Sequence, residues 1–125
     1  MPKPQAITPN ASFPPTARLR HQFEFDTVFN KPKKSIDRYW VVLATPHSMD
    51  ATAGHARLGL VISKKRIRLA VQRNRIKRLI RESFRHHQYA LNPLDIIVLA
   101  RDKTAQFDNA RLRASLEKHW QRLQR

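Results

Sequence analysis

Residues 63–85 carry the side chains whose types and spacing suggest chemistry. Their sequence, SKKRIRLAVQRNRIKRLIRESFR, concentrates arginine and lysine, and Glu82 is its single acidic residue. Guanidinium groups keep their charge and bind phosphate through paired hydrogen bonds. A solvated helix normally mixes charges of both signs, because like charges repel at helical spacing. The segment therefore indicates an anionic partner, and we favour nucleic acid over the alternative of an ordinary solvated face.

The same segment has the apolar periodicity of an amphipathic helix, which we expect to run from about residue 70 to residue 88. At about 100° per residue, one face collects the apolar residues Leu69, Ile76, Leu79, Ile80 and Phe84. The opposite face presents the polar residues Asn74, Arg75, Arg78, Arg81 and Arg85. Near the border, where an aliphatic stem can lie along apolar surface, are Arg73 and Lys77. One face would then pack on a core while the other binds phosphate.

The whole chain is strongly basic. It has 125 residues, with 25 lysines and arginines against 9 acidic residues, and a net charge of +16. This balance predicts a polyanionic partner and salt-sensitive binding. The chain contains no cysteine, which excludes disulfides and cysteine-ligated metal.

Several features favour a cytoplasmic protein. No apolar run approaches the roughly 20 residues that a membrane-spanning helix requires, and the N-terminus lacks the apolar segment of a signal peptide. A cationic protein bound to a membrane surface is the alternative. The narrow apolar face of the basic helix and its lack of tryptophan disfavour that alternative.

Proline content divides the chain into a tail and one domain. Residues 1–16 contain five prolines, which block helix and sheet. We therefore expect a disordered N-terminal tail over residues 1–16 and a single domain over residues 17–125.

A short helix is predicted over residues 18–29, because Phe25, Val28 and Phe29 share one face of a helix. Two further apolar residues, Leu19 and Phe23, are expected to add to its packing. Residues 31–37 are interpreted as a basic loop that follows this helix.

Three segments are predicted as strands, namely residues 38–45, 57–63 and 95–100. Residues 46–56 would connect the first two strands. Alternation in the first strand places Tyr39, Val41 and Leu43 on one face and Trp40, Val42 and Ala44 on the other. We assign Trp40 a packing role only. A last helix, capped by Asp108, is predicted from the spacing of Leu112, Leu116, Trp120 and Leu123.

Nothing in the sequence has the pattern of a protein catalytic site. The histidines, which we expect at the surface or in contact with RNA, are His21, His47, His55, His86, His87 and His119. Their spacing matches neither a zinc site nor a histidine–carboxylate pair with a nucleophile, and the acidic residues are scattered. We therefore expect that the polypeptide does not cut RNA by itself.

The run GLVISKKRIRLAVQRNRIKRLIRESFR closely resembles the signature of the bacterial ribonuclease P protein component. That family shows a strand ending in S/A-K-K, followed after a few residues by A-V-x-R-N-R-x-K-R-x-x-R-E-x-F. The resemblance extends from about Arg18 to the C-terminus. The proline-rich tail departs from it, because the family usually begins closer to its first helix.

The resemblance implies a single-domain α/β fold, an α-β sandwich with the element order α-β-β(-β)-α-β-α. The helix that carries Arg73, Asn74 and Arg75 would join two parallel strands through a left-handed β-α-β crossover. Such a crossover is a rare exception to the right-handed rule.

In this family the catalyst is an RNA. The resemblance implies that this RNA binds Mg²⁺ and hydrolyses one phosphodiester bond to release the 5′ leader of precursor tRNA. The protein would screen the repulsion between the two RNAs, hold the leader and lower the Mg²⁺ concentration required. The residues implied to dock on the catalytic RNA are Lys64, Lys65, Arg73, Asn74, Arg75, Lys77, Arg78 and Arg81. We expect one protein per RNA and no metal held by protein side chains.

The resemblance also implies a cleft for the single-stranded leader. In the family an F-x-x-V-F helix lines this cleft, and Phe25 and Phe29 match its aromatic positions, while Tyr39 matches a flanking position. Bases stack on aromatic faces without sequence preference. The alternatives are plain core packing for the two phenylalanines and an ordinary strand position for Tyr39.

Two other classes of protein remain open. A ribosomal protein or another non-catalytic RNA-binding protein would explain the charge, but it does not explain the R-N-R signature together with the F-x-x-V-F helix. A DNA-binding regulator would use residues 73–85 as a recognition helix, which usually follows another helix and a tight turn, whereas a β-rich segment precedes this one. A binding assay for duplex preference would distinguish the regulator.

Overall fold

The computed structural model describes residues 18–19, 21–46, 55–91 and 93–124. The predicted tail over residues 1–16 lies outside the described residues, as do residues 47–54 of the predicted connection. The helices are α1 (Gln22–Phe29), α2 (Ala70–Arg85) and α3 (Asn109–Leu123), and a 3-10 turn spans Thr104–Gln106. The strands are β1 (Lys33–Ile36), β2 (Trp40–Pro46), β3 (Arg57–Val61) and β4 (Leu94–Ala100). The predicted α/β class and the order α-β-β(-β)-α-β-α are confirmed, and the strand given in parentheses is present.

The four strands form one sheet in the order β1-β2-β4-β3. The β1–β2 and β2–β4 pairs are antiparallel, whereas β3 and β4 are parallel. Because parallel neighbours cannot be joined by a tight turn, the chain crosses from β3 to β4 through α2. The predicted β-α-β crossover is therefore present. Its left-handedness remains a prediction.

The main core lies between one face of the sheet and the two long helices. It includes Trp40 and Val98 from the sheet, Ile80 and Phe84 from α2, and Trp120 from α3, all fully buried. The Phe84 and Trp120 rings meet edge to face with centroids 5.9 Å apart, a favourable aromatic arrangement. The packing role predicted for Trp40 is confirmed.

A smaller core lies on the other face of the sheet, beneath α1. Its buried members are Leu19, Val28, Leu43 and Ile97. The helix is shorter than predicted because residues 18–19 are extended. Arg18 forms a parallel bridge with Leu58 of β3, and the Leu19 N–H donates to the Leu58 carbonyl at 2.9 Å. This segment therefore extends the sheet beyond β3 before α1 begins.

The interpretation of residues 31–37 as a loop was wrong, since β1 lies within them. Lys33 and Lys34 are exposed and Ser35 is buried, a pattern without the alternating apolar residues that indicate a strand. Lysine is common on edge strands, where it discourages pairing with other chains. Pairing of β1 with β2, which the local sequence does not reveal, fixes this strand.

Two apolar residues that were predicted to pack in the interior, Leu69 and Phe23, are exposed. Leu69 is 64% exposed and precedes α2 as its N-cap. Its burial was predicted from helical spacing, which does not apply because its backbone is extended. Phe23 is 66% exposed, because α1 turns Val28 toward the sheet and Phe23 away from it. Its ring stacks on His21 with centroids 5.5 Å apart.

Candidate nucleic-acid interface

The outward side of α2 is basic because the apolar residues of the helix are used by the core. Ile76, Leu79, Ile80 and Phe84 are buried. On the other side Asn74, Arg78 and Arg81 are exposed, and Lys77 and Arg85 are half-buried. Within the described part of the chain, the Arg78 and Arg81 guanidinium groups have no hydrogen-bond or ion-pair partner. These two groups can bind phosphate without first losing a protein contact.

Arg73 differs from these free arginines because it holds the start of α2. Its Nη1 atom donates to the Ile67 carbonyl at 2.9 Å and to the Arg68 carbonyl at 2.8 Å. These two hydrogen bonds hold the turn that precedes α2 against the first turn of the helix. Arg73 therefore shapes the interface, and its remaining N–H groups are left for a ligand.

Arg75 links α2 to the segment that leads into α3. Its Nε atom donates to Gln72 Oε1 at 2.9 Å and its Nη2 atom to the Ala105 carbonyl at 2.9 Å. Its Nη1 atom donates to Asn109 Oδ1. The sequence predicted a freely exposed cation here, whereas the structure shows a half-buried guanidinium that fixes the position of α2 against α3.

Lys64 and Lys65 extend the basic surface beyond the start of α2. Both are exposed in a turn that follows β3, in which the Ile67 N–H donates to the Ser63 carbonyl at 3.0 Å. Ile67 is buried and anchors the turn. The two lysines therefore lie on a defined turn beside the N-terminal end of α2.

Two open clefts flank the outward ridge of α2, which consists of Asn74, Arg78 and Glu82. One cleft, of about 480 Å³, also includes Arg18, Lys77, Arg81 and Arg85. The other, of about 360 Å³, also includes Arg75, Asn109 and Arg113. No pattern in the sequence indicates that Arg18 and Arg113 join this surface, because both lie outside α2 and reach it from other parts of the fold.

A row of apolar side chains crosses the sheet on the α1 side. The register aligns Ile36 of β1, Val41 of β2, Leu99 of β4 and Val61 of β3. Ile36 is 49% exposed and the other three are half-buried. The neighbouring row on this face, which contains Leu43 and Ile97, is buried. α1 therefore covers one row, while the next row is partly exposed and Ile36 is its most accessible member.

Phe25 and Phe29 both come from α1 but differ in exposure. Phe25 is half-buried and packs on Gly59, where an added Cβ atom would lie 2.7 Å from Phe25 Cε1. Phe29 is 45% exposed. Phe25 therefore anchors α1 to β3, which is the core role that we kept open, while Phe29 offers ring surface to solvent.

Tyr39 lies apart from these phenylalanines. It packs against the main core, and its ring meets Phe107 edge to face at a centroid distance of 4.7 Å. Its carbonyl accepts a hydrogen bond from the Thr104 hydroxyl at 2.6 Å. The structure thus places Tyr39 next to the segment that precedes α3, while the two phenylalanines lie with α1.

Arg57 of β3 ties α1 to the sheet. Its Nε and Nη2 atoms donate to the two carboxylate oxygens of Asp95 at 2.8 and 2.7 Å, and its Nη1 atom donates to Glu24 Oε2 at 2.7 Å. The hydrogen bonds to Asp95, with the attraction of both acids, raise the pKa of Arg57 although burial opposes this. Glu24 also accepts the His21 N–H at 2.9 Å, which caps the start of α1.

The expectation that every histidine lies at the surface or in contact with RNA was wrong, because His119 and His55 are buried. His119 Nδ1 lies 2.6 Å from Ser35 Oγ, and its Nε2 lies 3.2 Å from Asp37 Oδ2. Burial lowers the pKa of His119, and the nearby Asp37 charge only partly offsets this. Burial also acts to raise the pKa of Asp37, but hydrogen bonds from Ser115 and from two backbone N–H groups lower it overall.

This serine–histidine–aspartate group is a polar part of the core. Ser35 is buried, and its hydroxyl also accepts from Arg122 Nη1 at 3.2 Å. In a serine hydrolase Nε2 of the histidine faces the serine, whereas here Nδ1 does. The three residues join the β1–β2 hairpin to α3 and leave no access for a substrate.

Metal ligands do not gather in the part of the chain that the structure describes, where no group of three histidine, aspartate or glutamate residues could hold an ion. Within the same residues, no helix is long and apolar enough to cross a membrane.

The α/β fold and the basic surface around α2 define a class, that of small nucleic-acid-binding proteins. Comparison with known proteins narrows the class. The family model described as Ribonuclease P matches residues 13–124. The chain belongs to the ribonuclease P protein family, the protein components of a ribonucleoprotein nuclease that processes tRNA. The family resemblance stated from the sequence is confirmed.

Relatives and solved structures agree with this assignment. The chain is 47% identical over 108 residues to the ribonuclease P protein component of Methylococcus capsulatus, covering 86% of the chain and 81% of the relative. It is 45% identical over 111 residues to that of Thioalkalivibrio sulfidiphilus, covering 89% of each. The Staphylococcus aureus RNase P protein superposes with a TM-score of 0.72 at 33% identity, covering 82% and 90% of the two chains. The Thermotoga maritima protein gives 0.69 at 32% identity, covering 84% and 96%.

Proposed function

We propose that the chain assists a catalytic RNA in removing the 5′ leader from precursor tRNA, by docking on that RNA through α2 and holding the leader in the cleft beside α1. One protein would bind one RNA in the cytoplasm. Family membership supports an RNA partner. Two distinct surfaces of the described chain support separate sites for the catalytic RNA and for the leader.

The observation that carries the proposal is the partial cover of the sheet by α1. The row formed by Ile36, Val41, Leu99 and Val61 stays partly exposed, with the half-exposed ring of Phe29 on the helix that borders this face. Stacking of single-stranded bases on aromatic and apolar surface is tolerant of sequence. Such a cleft suits a leader whose sequence differs from one precursor tRNA to another.

The α2 surface suits a structured RNA. Free guanidinium groups at Arg78 and Arg81, together with Lys64, Lys65 and the remaining N–H groups of Arg73 and Arg75, can neutralise several phosphates. Each neutralised phosphate releases condensed counterions, which strengthens binding at low salt. Asn74 and Lys77 lie on the same surface, so all eight residues expected to dock on the catalytic RNA are proposed for this role.

The two surfaces approach each other near β3. Arg18 lines the larger α2 cleft, while its neighbour Leu19 is buried with the core beneath α1. An RNA bound on α2 and a leader bound beside α1 would therefore be held close together on one rigid scaffold. Positioning of this kind converts binding energy into a favourable geometry for reaction.

The protein side chains contribute binding and position. Mg²⁺, bound mainly by the RNA, would supply an activated water for phosphodiester hydrolysis. The described residues offer no cluster that could hold the ion, so no step is assigned to a metal on the protein. Basic side chains would instead reduce the repulsion between the catalytic RNA and its substrate, which lowers the Mg²⁺ concentration that assembly requires.

Reconstitution tests the proposal. The protein is mixed with a bacterial ribonuclease P RNA and a precursor tRNA at low Mg²⁺, with each component alone as a control. Cleavage at the 5′ end of the mature tRNA only in the complete mixture is expected. Cleavage by the protein alone would contradict the assignment of chemistry to the RNA. Tight RNA binding without stimulation would instead favour a non-catalytic RNA-binding protein.

A further inference from the structure

The smaller of the two clefts lies between α2 and the first turns of α3. Asn74, Arg75, Arg78 and Glu82 line it from α2, and Asn109 and Arg113 line it from α3. Its volume of about 360 Å³ falls in the range of about 300–1,000 Å³ that is usual for ligand sites. The site therefore depends on α3, a helix that carries none of the residues expected to bind RNA.

Asn109 presents a defined donor to this cleft. Its Oδ1 atom accepts a hydrogen bond from Arg75 Nη1. Because a guanidinium group can only donate, the amide oxygen must face Arg75 and the amide NH₂ group faces away from it. Arg75, itself fixed by its 2.9 Å bond to the Ala105 carbonyl, thus orients a neutral donor beside the charged groups of the cleft.

The charge in the cleft favours an anion. In the described part of the chain, the Arg78 and Arg113 guanidinium groups have no hydrogen-bond or ion-pair partner. Arg75 adds a third positive charge, and Glu82 supplies one negative charge. Two net positive charges and a set of N–H donors match the oxygen atoms of a phosphate group.

We propose that this cleft binds a backbone phosphate of the catalytic RNA, and that Arg113 is a further RNA-binding residue. The inference rests on the proposed function. An extended polyanion is favoured because the cleft shares Asn74, Arg78 and Glu82 with the larger basic cleft on the other side of the α2 ridge. A strand of RNA could therefore cross α2 and place phosphates in both clefts, which a free phosphate ion could not do.

Arg113→Ala tests the proposal, and Arg111→Ala is its matched control. Both arginines are exposed on α3, and both changes remove one charge, but only Arg113 lines the cleft. The dissociation constant for ribonuclease P RNA is measured at several salt concentrations. We expect Arg113→Ala to weaken binding by about three- to tenfold. It should also reduce the salt slope, the slope of the logarithm of the binding constant against the logarithm of the salt concentration, by about one. Arg111→Ala should have a much smaller effect.

Two further measurements sharpen the test. Thermal unfolding of both variants should match the unsubstituted protein, because neither side chain is buried. Arg113→Lys restores the charge and should recover the salt slope. Equal losses of RNA affinity for Arg111→Ala and Arg113→Ala would mean that only the total charge of the protein matters, and would overturn the inference. An unchanged affinity for Arg113→Ala would also overturn it.

Failure of the proposed function would look different. In that case the unsubstituted protein itself would neither bind ribonuclease P RNA tightly nor stimulate it, and the inference would fall with it. Stimulation by the unsubstituted protein with identical behaviour of the Arg111 and Arg113 variants would overturn the inference alone.

Discussion

Gly59 should be sensitive to the smallest possible side chain. A Cβ atom added there would lie 2.7 Å from Phe25 Cε1, 2.8 Å from Phe25 Cζ and 3.2 Å from Leu19 Cδ1. Carbon atoms in contact normally lie about 3.5–4.0 Å apart, so the Phe25 ring would have to move by about 0.8 Å or more. The ring sits on α1, which Arg57 holds through Glu24 at 2.7 Å. Gly59→Ala therefore strains the attachment of α1 to the sheet.

The loss of stability in Gly59→Ala can be estimated from overpacking substitutions in the cores of other proteins. Adding a methyl group to a well-packed site typically costs about 1–3 kcal/mol of unfolding free energy. For a domain of this size each kcal/mol lowers Tm by about 3–6 °C, so we expect Gly59→Ala to lower Tm by about 3–18 °C. Displacement of α1 should also weaken precursor tRNA binding more than mature tRNA binding, because the proposed leader cleft borders this helix.

A double-variant cycle isolates the contact. Phe25→Leu shortens the ring side chain and removes the two closest atoms, so the combination with Gly59→Ala should be less destabilised than the sum of the single changes. Thermal unfolding and equilibrium binding to both tRNA forms are the measurements. An unchanged Tm for Gly59→Ala, or strictly additive losses in the cycle, would refute the packing of Phe25 on Gly59.

Three further predictions concern the basic face, the aromatic ring and the buried histidine. Arg78→Ala should weaken binding to ribonuclease P RNA and reduce its salt slope by about one without changing Tm, whereas Arg75→Ala should lower both affinity and Tm because it also breaks the link to α3. Phe29→Ala should weaken precursor tRNA more than mature tRNA in equilibrium binding and change Tm little, because the ring is 45% exposed. For His119, burial lowers the pKa from its ordinary value of 6.5, so the folded protein binds fewer protons than the unfolded chain and stability falls as the pH drops below about 6.5. His119→Gln should therefore show a smaller fall in Tm between pH 7.5 and 5.5 than the unsubstituted protein.

Each of these predictions has an outcome that contradicts it. An unchanged salt slope for Arg78→Ala would mean that the outward side of α2 does not contact phosphate. Equal loss of precursor and mature tRNA binding for Phe29→Ala, with a lower Tm, would favour a core role for the ring. The same fall in Tm for His119→Gln as for the unsubstituted protein would assign the acid sensitivity to other groups.

The sequence determined the elements whose stabilising pattern is local. The apolar spacing of Ile76, Ile80 and Phe84 predicted α2 and its buried face correctly. Asp108 was predicted as the cap of α3, and its carboxylate accepts the Arg111 N–H at 2.8 Å. A buried strand was predicted over residues 95–100, where the apolar run begins at Ile96, and β4 is that strand. Periodicity and caps suffice here because the interacting residues lie within a few positions of one another.

Tertiary structure decided the features that depend on partners distant in sequence. Residues 31–37 contain a strand because β2 pairs with them, and His119 is buried because Ser35 and Asp37 face it from that hairpin. Arg75 and Arg78 look equivalent in the sequence, yet Arg75 bonds to Ala105 and Asn109 while Arg78 faces solvent. The partly exposed apolar row beside α1 likewise exists only once four strands align. Composition sets the charge of this protein, but the packing of distant elements decides which charges and rings remain exposed at its surface.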